Sequence, residues 1–187
     1  MPNDAKQSKE PELNIRLATP EDFPEVLEIA WESSKENAFT PPSLHKLAQE
    51  IWAALHKHHG ICGVIGPSSG EIQGYALLRI GTVWYSDTPL IEEKAIFIHP
   101  KYRNAKGGRA KKLCEFSKRV ADKLELPLII GVLSNFRTAA KIRMYERVFG
   151  PASGAYFLYG ATTGKPKDSQ TDQPKEVQLD QLTADAE

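Results

Sequence analysis

Between Ala95 and Leu113 the chain runs Ala-Ile-Phe-Ile-His-Pro-Lys-Tyr-Arg-Asn-Ala-Lys-Gly-Gly-Arg-Ala-Lys-Lys-Leu, and no other stretch limits the fold as tightly. An apolar strand, Lys94 to Ile98, stops at His99-Pro100. A basic loop with two adjacent glycines follows, and a helix starts near Gly107 with Ala110, Leu113, Cys114, Ser117, Val120, Ala121 and Leu124 on one face and most of its lysines on the other. Such a strand, loop and helix present the unpartnered first amides of the helix to whatever the loop encloses. Gly107 and Gly108 let a bulky anion approach the main chain, and Arg103, Lys106 and Arg109 surround it with positive charge. The segment predicts a pyrophosphate site. It is not a Walker A loop, since no Gly-Lys-Ser/Thr follows the glycines, nor a GxGxxG dinucleotide fingerprint.

Charge elsewhere sharpens this. Lys plus Arg and Asp plus Glu each number 24 over 187 residues, so the whole chain makes no electrostatic case for nucleic acid. The cations are concentrated instead: nine basic residues against two acids from Lys101 to Lys123, and three lysines against six acids from Thr163 to Glu187. A cationic segment in a neutral chain points to a local anionic ligand. No apolar run approaches the roughly 20 residues of a membrane helix, and the polar start MPNDAKQSKEPEL lacks an apolar signal core, so no membrane partner and a cytoplasmic address are expected. Cys62 and Cys114 form no CxxC pair, and His56, His58 and His59 include no pair four apart, so no metal site is expected.

The composition of the ends predicts disordered tails over residues 1–12 and an acidic one over 162–187, bracketing one domain at 13–161. Within it, Asn14 to Ala18 reads as a strand, and Thr19-Pro20-Glu21-Asp22 starts a helix reaching about Lys35. Ser43 caps a second helix that ends near Gly60. Ile61 to Ile65 and Ile72 to Ile80 form a hairpin around Gly66-Pro67-Ser68-Ser69-Gly70. Leu126 to Leu133, apolar on both parities, reads as a strand covered on both faces. A helix from Thr138 to Phe149 and a closing strand from Ala155 to Tyr159 complete an α/β (α+β) fold, a mixed sheet flanked by helices.

The pattern His-Pro-x-Tyr-Arg, then R-x-x-G-x-G and a helix, resembles the coenzyme A loop of the GNAT superfamily of acyl-CoA N-acyltransferases. Arg103 opens the pattern, Lys106 stands where the first glycine is usual, and Gly108 fills the second glycine position. Tyr145-Glu-Arg-Val-Phe-Gly150 resembles the family's Tyr-Glu-x-x-Gly-Phe region. The combination is similar to a divergent subset met among phage and bacterial proteins. The resemblance implies a mostly antiparallel central sheet with a splayed acyl-CoA-binding strand pair.

It further implies that Ile96 and Ile98 pair through their main chain with the pantetheine arm, with Phe97 between them. Arg103, Asn104, Ala105, Lys106, Gly107, Gly108 and Arg109 would then hold the pyrophosphate, and Asn135 would contact the pantetheine region, although it lies ten residues before Tyr145 where about seven is usual. Tyr145 would protonate the leaving thiolate, and Glu92 or Glu93 would take the proton of the amine. Strand parity puts Glu92 with Ile96 and Ile98, and a bulge would exchange it with Glu93. Plainer readings stand beside these: Tyr145 as core, Glu92 and Glu93 as a solvated pair, Asn135 as a turn residue, and Trp84-Tyr85 as packing instead of acceptor pocket. The implied cosubstrate is acetyl-CoA or another short acyl-CoA. The acceptor is a small-molecule or protein amine, attacking directly in a ternary complex, and a homodimer stays open. Cys114, on the helix interior and with no histidine nearby in sequence, is a poor covalent intermediate. The alternative is a catalytically inactive acyl-CoA-binding regulatory or interaction protein.

Overall fold

The computed structural model of the protein describes residues 12–37, 39–134 and 137–157. Five strands form one sheet in the order β1 (Leu13–Leu17), β2 (Gly60–Pro67), β3 (Gly74–Gly81), β4 (Leu90–Ile98) and β5 (Leu128–Ile129). The first four are antiparallel and β5 joins β4 in parallel, so the architecture is a mixed, mostly antiparallel sheet flanked by helices. The helices are α1 (Phe23–Asn37), α2 (Leu44–Leu55), α3 (Arg109–Leu124) and α4 (Thr138–Phe149).

Local chemistry accounts for most boundaries. The Thr19-Pro20 start forms as a short 3₁₀ turn, Pro20–Asp22, leading into α1. Asp22 accepts the Thr19 amide at 2.8 Å and both nitrogens of the Arg16 guanidinium at 2.6 and 2.8 Å. Those hydrogen bonds from Arg16 hold its carboxyl below the ordinary range. Ser43 caps α2 by accepting the Lys46 amide at 3.3 Å. That helix stops at Leu55, before the expected Gly60, because Lys57 (φ 59°) and His59 (φ 54°) turn left-handed and end the helical path.

One face of the sheet is covered by α1 and α2. Val26, Ile29, Ile51 and Leu55 pack there against Cys62, Val64, Tyr75, Leu77 and Phe97. On the other face Leu113 of α3 is fully buried among Ile65, Ala76, Ile96 and Ile98, and Ala121 sits with Leu78 and Ile91. α4 packs against α3.

Two features of β4 depart from the sequence reading. The strand begins at Leu90, four residues before Lys94, because Glu92 and Glu93 conceal an extended segment that β3 recruits. It also carries a bulge: Leu77 pairs with Ala95 and Leu78 with Glu93, leaving Lys94 without a partner. Glu93 therefore shares the α3 side with Ile96 and Ile98, and Glu92 shares the other side with Ala95 and Phe97. The expected strand from Leu126 to Leu133 shortens to Leu128–Ile129, and it is an edge, with Ile129 41% and Leu133 49% exposed. β5 pairs with β4 only at Ile91 with Leu128 and Glu92 with Ile129, after which the two diverge. Of the expected closing strand, Ala155 to Phe157 form no strand, and Leu158 and Tyr159 lie outside the described residues, as do the expected tails except Glu12.

Since Leu113 anchors the start of α3 with no exposed surface, Leu113→Ala should cost about 2–5 kcal/mol. Chemical denaturation should show this as a lower midpoint at unchanged slope.

Candidate functional site

Pairing of β4 with β5 ends at Glu92 and Ile129, and farther along β4 a cavity of about 340 Å³ lies against its end. Its walls come from three directions. Ile96, Phe97 and Ile98 supply the sheet side, and Tyr102, Arg103, Ala105, Gly108, Arg109, Ala110 and Lys111 the loop and the start of α3. Arg137, Ala140, Lys141, Met144 and Tyr145 come from α4, with Glu36 at the end of α1.

The loop is shaped by its own chemistry. Pro100–Tyr102 make a 3₁₀ turn capped by His99, whose Nδ1 accepts the Lys101 amide at 3.3 Å. The two glycines are required for different reasons. A Cβ on Gly107 would lie 2.4 Å from Leu13 Cδ1 on β1, at a φ of +115°. Gly108 has φ +60° and nothing within 4 Å of where its Cβ would be, because it borders the cavity. The Lys112 amide donates to the Gly108 carbonyl at 3.0 Å and closes the first turn of α3. The amides of Arg109, Ala110 and Lys111 precede that bond and, by helix geometry, have no acceptor within the helix, so the positive end of α3 points at the cavity.

The loop's arginines are committed elsewhere. Arg103 donates from Nη2 to Glu36 Oε2 at 2.5 Å and from Nε to the Ile98 carbonyl at 3.0 Å, with its guanidinium 4.8 Å from the centre of the Phe97 ring. Arg109 turns back onto the loop, donating to the Lys106 carbonyl at 2.6 Å and to Gln73 Oε1 at 2.7 Å. Both cations add positive potential, and their directed hydrogen bonds hold the loop. Lys106 is exposed beside it.

Tyr145 borders the cavity and is half-buried. On its helical stripe Ala139 and Ile142 are exposed, Phe149 meets the Tyr145 ring edge-on with centroids 5.9 Å apart, and α4 has no fully buried residue among those described. Burial pushes the Tyr145 phenol well above its ordinary value, and the charge of Glu93 adds to the shift. The phenol is therefore a retained proton at neutral pH. Glu93 is half-buried, and burial pushes its carboxyl up to about 7, against the opposing pull of backbone hydrogen bonds from Gly131 and Ile96 and of the Lys141 charge. Glu92 lies apart from it, exposed on the opposite face and paired with Lys94 at 2.7 Å. Burial raises Cys114 to about 12, so its thiol stays protonated.

The cavity thus brings together Ile96, Phe97, Ile98, Arg103, Ala105, Gly108, Arg109 and Tyr145. Asn104, Lys106, Gly107, Glu92 and Glu93 are not in its lining, and Asn135 lies outside the described residues. Glu36 and Lys141 were not singled out from the sequence. Lys141 stands one turn before Tyr145, a spacing that could have exposed it, whereas nothing local marks Glu36. Among the described residues no group of His, Cys, Asp and Glu is placed to hold a metal ion, and no helix is long and apolar enough to cross a membrane.

Above pH 7 the fold carries a Glu93 carboxylate that its surroundings disfavour, while in the unfolded chain the group ionises near 4.5. Stability should therefore decline as pH rises through that window and level off above it. Glu93→Gln should raise the melting temperature more at pH 8 than at pH 5, measured by scanning calorimetry.

The sequence profile described as the acetyltransferase (GNAT) family matches residues 23–150. No curated protein matches the sequence. Among solved structures, the chain is similar to AAC(6')-Iy in complex with the bisubstrate analogue CoA-S-monomethyl-acetylneamine, at 16% identity and a TM-score of 0.60, covering 79% of this chain and 97% of that one. It is similar to a predicted acetyltransferase from Clostridium acetobutylicum with acetyl-CoA, at 13% identity and a TM-score of 0.60, covering 79% and 94%. It is also similar to the ribosomal-protein-alanine N-acetyltransferase of Brucella melitensis biovar Abortus, at 14% identity and a TM-score of 0.57, covering 82% and 100%. At these identities the likeness is one of fold.

Proposed function

The chain belongs to the GNAT acetyltransferase family, and on that premise we propose that it transfers an acyl group, acetyl by default, from a coenzyme A thioester to an amine by direct attack in a ternary complex. The observation that carries this reading is the cavity beside the end of β4 that β5 leaves unpaired, bordered by Gly108, the first residues of α3 and Tyr145. Coenzyme A has the complementary parts. Its pyrophosphate suits the helix N-terminus and the potential of Lys106, and its amide-bearing pantetheine suits the main chain of Ile96 to Ile98 left beyond the last β5 pair. Two proteins of the same fold support this choice, one with a CoA bisubstrate analogue and one with acetyl-CoA.

In this reading Arg103 and Arg109 hold the loop in shape while its amides and Lys106 meet the phosphates. The base is Glu93 in preference to Glu92, because the bulge turns Glu93 to the cavity's side of the sheet and burial sets its carboxyl near the operating pH. Glu93 takes the proton of the attacking ammonium directly or through water. The amine adds to the thioester carbonyl, the carbon–sulfur bond breaks, and Tyr145 donates its phenolic proton to the departing thiolate.

Acetyl-CoA at about a hundred times its dissociation constant should stabilise the protein by about 2.7 kcal/mol, with a smaller effect from ATP. Gly108→Val should abolish that shift beyond the roughly 1–2 kcal/mol that a left-handed backbone costs a branched residue. An equal shift with ATP, or none with acetyl-CoA, overturns the reading.

Tyr145→Phe keeps the ring and removes only the hydroxyl. On any amine for which the parent releases thiol, kcat should fall about 10²- to 10⁴-fold while acetyl-CoA binding stays near normal. A merely structural hydroxyl would instead lower the melting temperature and leave kcat unchanged.

A further inference from the structure

The acyl-CoA groove contains an amine of the protein's own. Lys141 lines the same cavity as Ile96, Gly108 and Tyr145, and it precedes Tyr145 by four residues, so the two side chains leave α4 on one face, a turn apart. Its Nζ is held 2.6 Å from Ser134 Oγ, and Ser134 is itself fixed by its carbonyl, which accepts the Thr138 hydroxyl at 2.7 Å. We propose that Lys141 is a self-acylation site, taking the acyl group from the thioester in the groove when no acceptor amine is present. The proposal rests on the acyl-CoA reading above.

The step needs no further reactant. The Nζ lone pair attacks the thioester carbonyl, the nitrogen–carbon bond forms and the carbon–sulfur bond breaks with its electron pair on sulfur. The proton released by the amine replaces the one that Tyr145 delivers to the thiolate, leaving an amide on Lys141 and free CoA thiol. The surroundings favour a neutral amine more than a surface lysine's would. Burial lowers the ammonium's pKa and the neighbouring Arg103 lowers it further, while Glu36 and Glu93 act the other way. Arg137 lines the cavity from the start of the same helix, and the Tyr145 phenol is neutral there. Acylation would remove a positive charge beside Glu93 and lay an amide across the groove, so the modified protein should bind acyl-CoA more weakly.

The test uses the full chain with acetyl-CoA in amine-free buffer, followed by intact mass and peptide mapping. One acetyl group per chain should appear on Lys141, at a rate that saturates in acetyl-CoA, is independent of protein concentration, rises with pH and falls with excess CoA. Lys141→Arg should incorporate no more than the denatured chain does, with its own melting shift in acetyl-CoA recorded alongside. Lys141→Gln provides the same comparison should the arginine disturb the fold. A melting shift with Lys141 unmodified overturns this proposal alone, as does acetylation scattered over exposed lysines such as Lys106 without saturation. No melting shift overturns it together with the reading it rests on.

Discussion

The parting of β4 from β5 is the constraint on which the site depends. A sheet that stays zipped satisfies its own backbone, whereas one that opens leaves amides and carbonyls that must find partners elsewhere. Here pairing ends after Glu92 and Ile129, and Arg103 ties the unpaired end of β4 to α1. Its guanidinium takes up the Ile98 carbonyl, lies on the Phe97 ring and reaches Glu36 on α1. Two of the main-chain groups along this end of β4 are satisfied from within, the Ile98 carbonyl by Arg103 and the Ile96 amide by the Glu93 carboxyl.

The loop divides labour between backbone and side chains. In a solvated basic loop the arginines would be the anion's ligands, but here Arg103 and Arg109 spend their hydrogen bonds on carbonyls and on Glu36 and Gln73. The donors left pointing at the cavity are the amides at the start of α3, which cannot rotate away. The two arginines still contribute potential, which acts over distance without a defined bond. Gln73 is buried and also ties the hairpin to the loop, since its amide donates to Ile65 and its carbonyl accepts from His99.

What could be read from the sequence was what local chemistry determines. The strand stop at His99-Pro100, the paired glycines and the amphipathic α3 each follow from neighbours within a turn or two, and all three stand where the residues put them. The bulge at Lys94 is set by pairing with β3, so the sequence alone leaves open which of Glu92 and Glu93 shares a side with Ile96 and Ile98. Leu126 to Leu133 reads as a strand buried on both faces, but that reading assumes neighbours on each side, and β5 lies at the edge. Glu36 meets Arg103 from 67 residues away, a contact that no spacing rule reports. Lys141 was hidden differently, as one lysine among many until the fold turned it inward.

The bulge also divides β4 into two segments with separate phases. Residues beyond Lys94 keep their alternation relative to α3 whatever precedes them, and those before it keep theirs relative to the edge of the sheet. Deleting Lys94 would leave Leu78 opposite Glu93 in a regular strand, whereas pairing Lys94 itself with Leu78 would turn Glu93 to the other face and bring Glu92 to the α3 side without disturbing Ile96 or Ile98. The strand is in this sense a splice, its two halves free to take their registers independently.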